Sequence, residues 1–215
     1  IYKKLTINIM NFIKENIICP KCNLAISYLD KIFACTNCNV DYPQVNNRLV
    51  LMSIDNNLFP LNDYYKDDNL KIKVNKINKL KNFIPSSSVN LSQLRILKKL
   101  NEDLFLRNKN FKVLVLGCAH QRKKLYKIFS NPNSLILSDI SMNADCDIIF
   151  DIHQIPFKSK TFDAIITTAI LEHVYNPELA VENIHRVLKD DGIVYSEMPF
   201  MQQVHEGAYD FTRLS

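Results

Sequence analysis

Four of the six cysteines fall into a single pattern, two C-x-x-C pairs separated by twelve residues. The pairs are Cys19-Pro-Lys-Cys22 and Cys35-Thr-Asn-Cys38. Each C-x-x-C can form a tight turn that directs two thiolates at one centre, and two such turns supply the four sulfurs of a tetrahedral zinc site. Because a catalytic zinc keeps one position open, a complete set of four cysteines predicts a structural ion. Chance cysteines or two disulfides are the alternatives.

The N-terminal stretch shows no secretory signal, because Lys14 and Glu15 interrupt its apolar residues and no small-residue cleavage site follows. The longest apolar run, over 164–171, has eight residues, whereas a membrane-spanning helix needs about 20. We therefore expect no membrane span. We also expect a reducing compartment, the cytoplasm, in which the thiols stay free to bind zinc.

Charge is divided unevenly along the chain, which carries +5 overall. Residues 1–110 hold 17 Lys and Arg against 9 Asp and Glu, whereas residues 111–215 hold 10 against 13. The two parts therefore look like different modules. The basic first part is either a solvated surface or a patch for an anionic partner, RNA or a phosphorylated substrate.

Two short strands are predicted between the cysteine pairs, over 24–29 and 31–34. Val40-Asp-Tyr-Pro follows the second pair. A turn at Asn46-Asn47 and an apolar strand over 48–52 follow. Residues 1–53 are thus expected to form a small metal-binding module. Residues 54–110 look like a linker rich in Asn, Asp and Lys that ends in an amphipathic helix, because leucines recur there at three- and four-residue steps.

From residue 111 onward, apolar strands alternate with helices. The pattern predicts strands over 111–117, 134–139, 147–151, 161–168 and 193–197. It also predicts a helix over 122–129 and another that begins after Asn176 and ends at Asp191-Gly192. This alternation indicates an α/β fold in which a parallel sheet is covered on both faces. In such sheets, ligands bind beyond the carboxyl ends of the strands.

Glycine is scarce, with three residues in the chain, so the position of each is informative. Gly117 lies at a predicted strand-to-helix turn, and Asp139 ends the next strand 22 positions later. This spacing is typical of nucleotide-like ligands, whose ribose hydroxyls bind the carboxylate. A dinucleotide site would require G-x-G-x-x-G, whereas the loop Gly117-Cys-Ala-His-Gln-Arg has one glycine. The loop therefore disfavours NAD or FAD and favours a ligand without phosphates.

Five separated motifs in this second part resemble class I S-adenosylmethionine-dependent methyltransferases, of the group often labelled type 11. They are Val113-Leu-Val-Leu-Gly-Cys-Ala, Leu137-Ser-Asp-Ile-Ser, Asp151-Ile-His-Gln-Ile-Pro-Phe, Phe162-Asp-Ala-Ile-Ile-Thr-Thr-Ala-Ile-Leu-Glu-His-Val and Arg186-Val-Leu-Lys-Asp-Asp-Gly. Residues 16–53 are similar to the small zinc ribbons that occur as activators of methyltransferases or fused ahead of them.

The resemblance implies a zinc ribbon over 1–53 and a Rossmann-like methyltransferase domain over 111–215. It also implies that the chain binds S-adenosylmethionine as cofactor, in addition to a structural Zn²⁺. The family sheet continues with an antiparallel strand pair that is expected to be missing here, so either the sheet is truncated or the sequence is a fragment.

The resemblance also assigns a role in cofactor binding to eight residues. Gly117 and Ala119 would line the methionine end, Asp139 would hold the ribose, Asp151 and the backbone of Ile152 would meet the adenine, and Thr168 and Ala169 would border the sulfonium and methyl. Ile140, next to Asp139, is the eighth cofactor-binding residue. Ala119 and Gln121 stand where family members usually carry glycine. Gln121 is bulkier than the glycine it replaces, which bears on cofactor affinity.

Two histidines are the candidate catalytic residues. His173 follows the fourth predicted strand, and His205 opens a polar segment that would lie over the acceptor pocket together with Tyr209, Asp210 and Arg213. Either histidine could take a proton from the acceptor or have a local hydrogen-bonding role. The predicted function is methyl transfer to a small-molecule or saccharide acceptor. The alternatives are an RNA methyltransferase, for which the basic first part suits phosphate contacts, and a binding module that no longer holds cofactor.

Overall fold

A computed structural model describes residues 2–65, 90 and 92–198. Within them the chain forms four α-helices: α1 Tyr2–Asn16, α2 Gln93–Arg107, α3 Arg122–Ile128 and α4 Pro177–Val187. It also forms ten strands: β1 Ser27–Leu29, β2 Ile32–Cys35, β3 Val40–Tyr42, β4 Gln44–Val45, β5 Arg48–Val50, β6 Val113–Leu116, β7 Leu135–Asp139, β8 Ile148–Ile149, β9 Phe162–Thr168 and β10 Leu188–Glu197. Short 3-10 helices lie at Leu61–Tyr64, Pro132–Ser134, Ile152–Gln154 and Leu171–His173.

The larger sheet has seven strands in the order β10-β9-β6-β7-β8-β5-β4. Every neighbouring pair runs parallel except β4 and β5. All four residues of β6, an interior strand, are buried, which a parallel sheet covered on both faces requires. The predicted α/β fold with a Rossmann-like parallel sheet is therefore confirmed.

The smaller sheet is antiparallel, has the order β1-β2-β3, and carries the cysteine pairs at its ends. Strands β1 and β2 are joined by Asp30 and Lys31, both with positive φ (50° and 68°). Two consecutive left-handed residues are the geometry of a tight hairpin turn whose twist matches that of the flanking strands. This sheet and its four cysteines are consistent with the predicted zinc ribbon.

Strands β4 and β5 lie inside the range 1–53 but belong to the larger sheet. Asn46 and Asn47 form the predicted turn between them, with φ of 51° and 63°. Strand β5 then pairs in parallel with β8, so that Leu49 faces Ile148 in the register. The hairpin thereby covers an edge of the parallel sheet that would otherwise expose unpaired backbone groups.

Helix α1 was not predicted from the sequence. Its core-facing residues Ile9 and Ile13 are 3% and 0% exposed. The Phe12 ring lies 6.0 Å from that of Phe162, at the start of β9. The chain directly after helix α1 is hydrogen-bonded to the segment before β9: the Ile18 N–H donates to the Pro156 carbonyl at 3.0 Å. The N-terminal part is therefore packed directly against the parallel sheet.

The amphipathic helix predicted after the linker is confirmed as α2, with Leu97, Leu100 and Leu104 buried. Helix α4 begins as predicted, because Oδ1 of Asn176 accepts a hydrogen bond from the Leu179 N–H at 3.0 Å. The prediction that α4 continues to Asp191-Gly192 is wrong. The helix ends at Val187, and Gly192 lies in a register irregularity of β10 between Leu188 and Ile193.

Residues 199–215 lie outside the described part of the chain. The expectation of a missing strand pair therefore falls on residues that the structure does not describe, as do His205, Tyr209, Asp210 and Arg213. Among the described helices, none is both long and apolar enough to cross a membrane.

Candidate functional site

A cavity of about 180 Å³ opens at the carboxyl ends of the parallel strands. Six residues that the resemblance assigned to cofactor or acceptor line it: Gly117, Asp139, Ile140, Asp151, Ile152 and His173. Ala119, Thr168 and Ala169 lie within two positions of the lining residues Gly117 and Ile170 but are not themselves part of the lining. The cavity therefore brings the ends of β6, β7 and β8 together with the chain that follows β9, where this fold binds ligands.

The turn after β6 leaves no room for a side chain at its first residue. Gly117 has φ of +66°, and a Cβ placed there would lie 2.8 Å from Cδ1 of Ile170. Ala119 follows in the same left-handed region, at φ of 44°. Because left-handed backbone disfavours residues with a Cβ, the alanine is strained at a position where the family usually carries glycine.

Asp139 lies at the end of β7 and its carboxylate faces this turn. Oδ2 accepts a hydrogen bond from the Ala119 N–H at 2.8 Å, and Oδ1 accepts one from the Ser141 N–H at 2.9 Å. A carboxylate offers about four lone-pair positions, so each oxygen can accept a further donor. Two hydroxyl groups on adjacent carbons of a ribose are donors of the matching kind.

Asp151 is 3% exposed and is held by hydrogen bonds on both oxygens. Oδ1 accepts the backbone N–H of His153 at 2.9 Å and lies 2.6 Å from Nδ1 of the same ring. The Asn56 amide donates to Oδ2 at 2.7 Å. Burial opposes ionisation, yet the hydrogen bonds from His153 and Asn56 lower the pKa of the Asp151 carboxyl below its ordinary value. Asp151 is thus an ionised acceptor at the wall of the cavity.

His153 and Tyr175 form part of the same wall, although the motifs assigned no role to either. Their rings stack with centroids 3.9 Å apart. The Asn176 N–H approaches Nε2 of His153 at 3.3 Å, which leaves Nδ1 as the donor to Asp151. The ring is therefore fixed in one orientation as a support for Asp151.

His173 is the candidate base that the structure describes. Its side chain is 24% exposed, and Nε2 lies 3.9 Å from Oε1 of Glu172. Glu172 is 1% exposed, and neither of its oxygens has a hydrogen-bond partner among the described residues. The structure thus places a histidine on the cavity wall beside a buried acidic side chain.

Sequence reasoning missed a segment that follows β5. Leu58 and Phe59 line the cavity, although they lie in the range 54–110 that was predicted to be a linker and a helix. The Tyr64 hydroxyl donates to the carbonyl of Ile140 at 3.0 Å and so fixes the same segment to the chain after β7. No motif marks these residues, and their contact with the site depends on the pairing of β5 with β8.

The two cysteines outside the C-x-x-C pairs are not nucleophiles. Cys118 is 0% exposed and Cys146 is 5% exposed. Burial raises the pKa of Cys118 well above its ordinary value and that of Cys146 to about 12. Both thiols are therefore protonated near neutral pH, whereas a reactive cysteine is a thiolate.

The four cysteines of the two pairs form the candidate metal centre. Their sulfur atoms all lie within 4.8 Å of one another. The Sγ atoms of Cys19 and Cys38 are 3.8 Å apart, and those of Cys22 and Cys35 are 3.5 Å apart. Sulfurs about 2.3 Å from a tetrahedral zinc ion are separated by about 3.8 Å, so this donor set fits Zn²⁺.

The two halves of the metal centre share one backbone conformation. Asn23 and Asn39, each directly after the second cysteine of its pair, have φ of 61° and 52°. The Asn23 N–H also donates to the Cys19 carbonyl at 2.9 Å, which closes the first turn. Asparagine tolerates left-handed backbone better than most residues, so both turns are preorganised by their sequence.

The family model described as a methyltransferase domain, type 11, matches residues 102–196. The uncharacterized protein MJ0638 of Methanocaldococcus jannaschii is 35% identical over 95 residues, which make up 41% of this chain and 40% of that protein. The chain thus spans about two fifths of the curated relative that it matches.

Three solved structures match about half of this chain, each with a TM-score below 0.5. The trans-methyltransferase CalH in complex with SAH is 15% identical, with a TM-score of 0.37 over 46% of this chain and 35% of that chain. The CurJ carbon methyltransferase is 16% identical, with a TM-score of 0.42 over 51% and 35%. The complex between the Haloferax volcanii Trm112 methyltransferase activator and a methyltransferase is 15% identical, with a TM-score of 0.35 over 50% and 61%. Residues 102–196 thus match the methyltransferase domain of type 11, and the sequence motifs and the parallel strands β6 to β9 lie within this range.

Proposed function

We propose that the chain is an S-adenosylmethionine-dependent methyltransferase that acts on a small-molecule or saccharide acceptor and carries a structural zinc ion. The observation that carries this proposal is the convergence of Gly117, Asp139 and Asp151 on one cavity. Gly117 provides a turn without a side chain, Asp139 a carboxylate for vicinal hydroxyls, and Asp151 a buried acceptor. Together they suit a nucleoside ligand without phosphates.

Each part of the cofactor has a counterpart in the chain. The turn at Gly117 and Ala119 admits the methionine end, and Asp139 with Ile140 binds the ribose. Asp151 and the backbone of Ile152 bind the adenine. Thr168 and Ala169 border the sulfonium, and the left-handed backbone of Ala169, at φ of 50°, turns the chain away from the end of β9.

S-adenosylmethionine, when bound, supplies an electrophilic methyl group, so the chain's own contribution is largely positioning. His173 is the proposed general base for an acceptor hydroxyl or amine. Glu172 lies behind this ring, with Oε1 3.9 Å from Nε2 of His173. His205 is the second candidate base. An acceptor with a low pKa needs neither histidine.

Zinc is proposed to hold the two C-x-x-C turns together and to take no part in the chemistry. The four cysteine sulfurs would fill all four positions of a tetrahedral ion, which would leave none for substrate. Because thiolate ligands must stay reduced, the cytoplasm is the proposed compartment.

Two rival functions have specific support. The excess of Lys and Arg in residues 1–110 favours an RNA acceptor. The strained Ala119 and the bulky Gln121, where relatives carry glycine, favour a module that no longer binds cofactor.

Isothermal titration of the chain with S-adenosylmethionine and S-adenosylhomocysteine separates these functions. Binding of both ligands supports an enzyme, whereas no heat at millimolar ligand contradicts the proposal and supports the inactive module. Titration of a structured RNA at several salt concentrations then distinguishes the acceptors. Tight, salt-dependent RNA binding supports the RNA methyltransferase, and its absence supports a small-molecule or saccharide acceptor.

A further inference from the structure

The segment directly after β5 supplies one wall of the cofactor cavity. Within it, Leu58 and Phe59 line the cavity, and Asn56 lies behind them. The Asn56 side chain bonds to Asp151, which follows 95 residues later in the sequence. Asn56 belongs to neither the cysteine pairs nor the family motifs, so its own function is unassigned.

Three hydrogen bonds fix the Asn56 amide. Its Oδ1 accepts the backbone N–H of Leu58 at 3.1 Å and that of Phe59 at 2.8 Å. Because Oδ1 is occupied by two donors, the amide nitrogen must face the other way. Nδ2 donates to Oδ2 of Asp151 at 2.7 Å. The side chain therefore shapes the turn that carries Leu58 and Phe59 and orients Asp151 at the same time.

The two oxygens of Asp151 are used unequally. Oδ1 is taken up by two nitrogens of His153, at 2.9 Å and 2.6 Å. Oδ2 meets Asn56, and a carboxylate oxygen has lone pairs for a second donor. Asp151 also lines the cavity, so a ligand that offers an N–H at this wall has a fixed, ionised acceptor.

We propose that Asn56 is a positioning residue that makes the cavity specific for a 6-amino purine over a 6-oxo purine. It holds Oδ2 of Asp151 as an acceptor for the exocyclic amine, and it sets the turn through which Leu58 and Phe59 cover the base. A 6-oxo group is itself an acceptor, so it would face the ionised carboxylate without a proton between them. This inference rests on the proposed function, because it assumes that the cavity holds adenosine.

The test compares dissociation constants for S-adenosylhomocysteine and its 6-oxo analogue, S-inosylhomocysteine, measured by isothermal titration at pH 8. Asn56→Asp keeps an acceptor for the N–H groups of Leu58 and Phe59 but replaces the donor to Asp151 with a second carboxylate. Asn56→Leu removes both functions. Asn57→Leu changes the exposed neighbouring asparagine and is the matched control. Thermal unfolding of each variant reports on folding.

We expect the wild-type chain and Asn57→Leu to prefer the 6-amino ligand by more than about tenfold. In Asn56→Asp the affinity for S-adenosylhomocysteine should fall by about 10- to 100-fold, the loss of one charge-assisted hydrogen bond. The 6-oxo ligand should lose much less, so the preference should collapse. An unchanged ratio in a folded Asn56→Asp, with both affinities lowered equally, would overturn the inference and leave Asn56 with a structural role. If the wild-type chain binds neither ligand, the proposed function itself fails.

Discussion

Lys21, inside the first C-x-x-C turn, places its ammonium 3.1 Å from Oδ2 of Asp55, the residue before Asn56. A second link runs from the Tyr65 hydroxyl to the carbonyl of Asp41 in β3, at 2.8 Å. The ion pair is exposed and contributes little to stability by itself. Its position matters more, because it joins the proposed metal centre to the segment that lines the cofactor cavity.

Metal content is the first prediction. The intact chain, purified without chelator, should carry one Zn²⁺, and Cys38→Ser should carry much less and unfold at lower temperature. The three-stranded sheet buries little apolar surface, so metal binding and folding of that region are coupled. Elemental analysis and calorimetry of both proteins measure the two effects.

Cys146→Ser is the control for a general effect of losing a thiol, because Cys146 is 5% exposed and lies outside the cluster. It should retain zinc. A wild-type chain without zinc and with four free thiols would contradict the prediction, as would a disulfide between the two pairs.

Cofactor affinity should depend on Asp139. Asp139→Ala removes the acceptor for ribose hydroxyls and the partner of the Ala119 N–H, so binding of S-adenosylmethionine should weaken by about 1.5–3 kcal/mol for each hydrogen bond lost. Asp163→Asn is the matched control, since Asp163 also accepts a backbone N–H, that of Lys112 at 2.8 Å, but lies near the amino end of β9. Equal dissociation constants for Asp139→Ala and the wild-type chain would refute the assignment.

The third prediction concerns the N-terminal part. A fragment of residues 54–215 would lose β5, which pairs with β8. It would also lose the next hydrogen bond along this pair, from the Leu51 N–H to the Ile149 carbonyl at 2.8 Å. It would also lose helix α1, with its buried Ile13. Exposure of the β8 edge and of this apolar surface should prevent cooperative folding.

Urea denaturation, followed by circular dichroism, tests this expectation against full-length Cys38→Ser. The full-length variant should keep a cooperative transition for the parallel sheet, because it retains α1 and β5. A fragment that unfolds cooperatively at the same urea concentration as the intact chain would show that residues 1–53 are a separable module.

Local patterns predicted most of the fold. Three apolar runs predicted β6, β7 and β9, and each cysteine pair lies within four consecutive residues. The helix cap at Asn176 is likewise predicted from the residues that directly follow it. The pairing of β5 with β8 is a contact between distant segments that no local pattern encodes. The contact between Asn56 and Asp151 depends on it and was invisible for the same reason.

Local signals also misled in places. Asp191-Gly192 is a typical helix end, yet helix α4 ends at Val187. Gly192 lies instead at the register irregularity of β10, where a Cβ would lie 2.6 Å from Cδ1 of Leu188. Helix α1 carries Ile9 and Ile13 four residues apart, both buried. Isoleucine is a modest helix former, so the sequence alone does not predict this helix. Packing against the sheet stabilises it.

The strained turn after β6 gives the last prediction, a reversal of the usual sign for an Ala-to-Gly change. Ala119 has φ of 44°, where a Cβ costs about 1–2 kcal/mol. Glycine removes that strain and costs about 0.5–1 kcal/mol in backbone entropy. Ala119→Gly should therefore leave the free energy of unfolding unchanged or raise it by up to about 1.5 kcal/mol, without weakening S-adenosylmethionine binding. Ala180→Gly, at a buried position of α4, should lower the free energy of unfolding by about 1 kcal/mol. Urea denaturation of both variants measures the two values, and equal losses would show that the left-handed alanine is not strained.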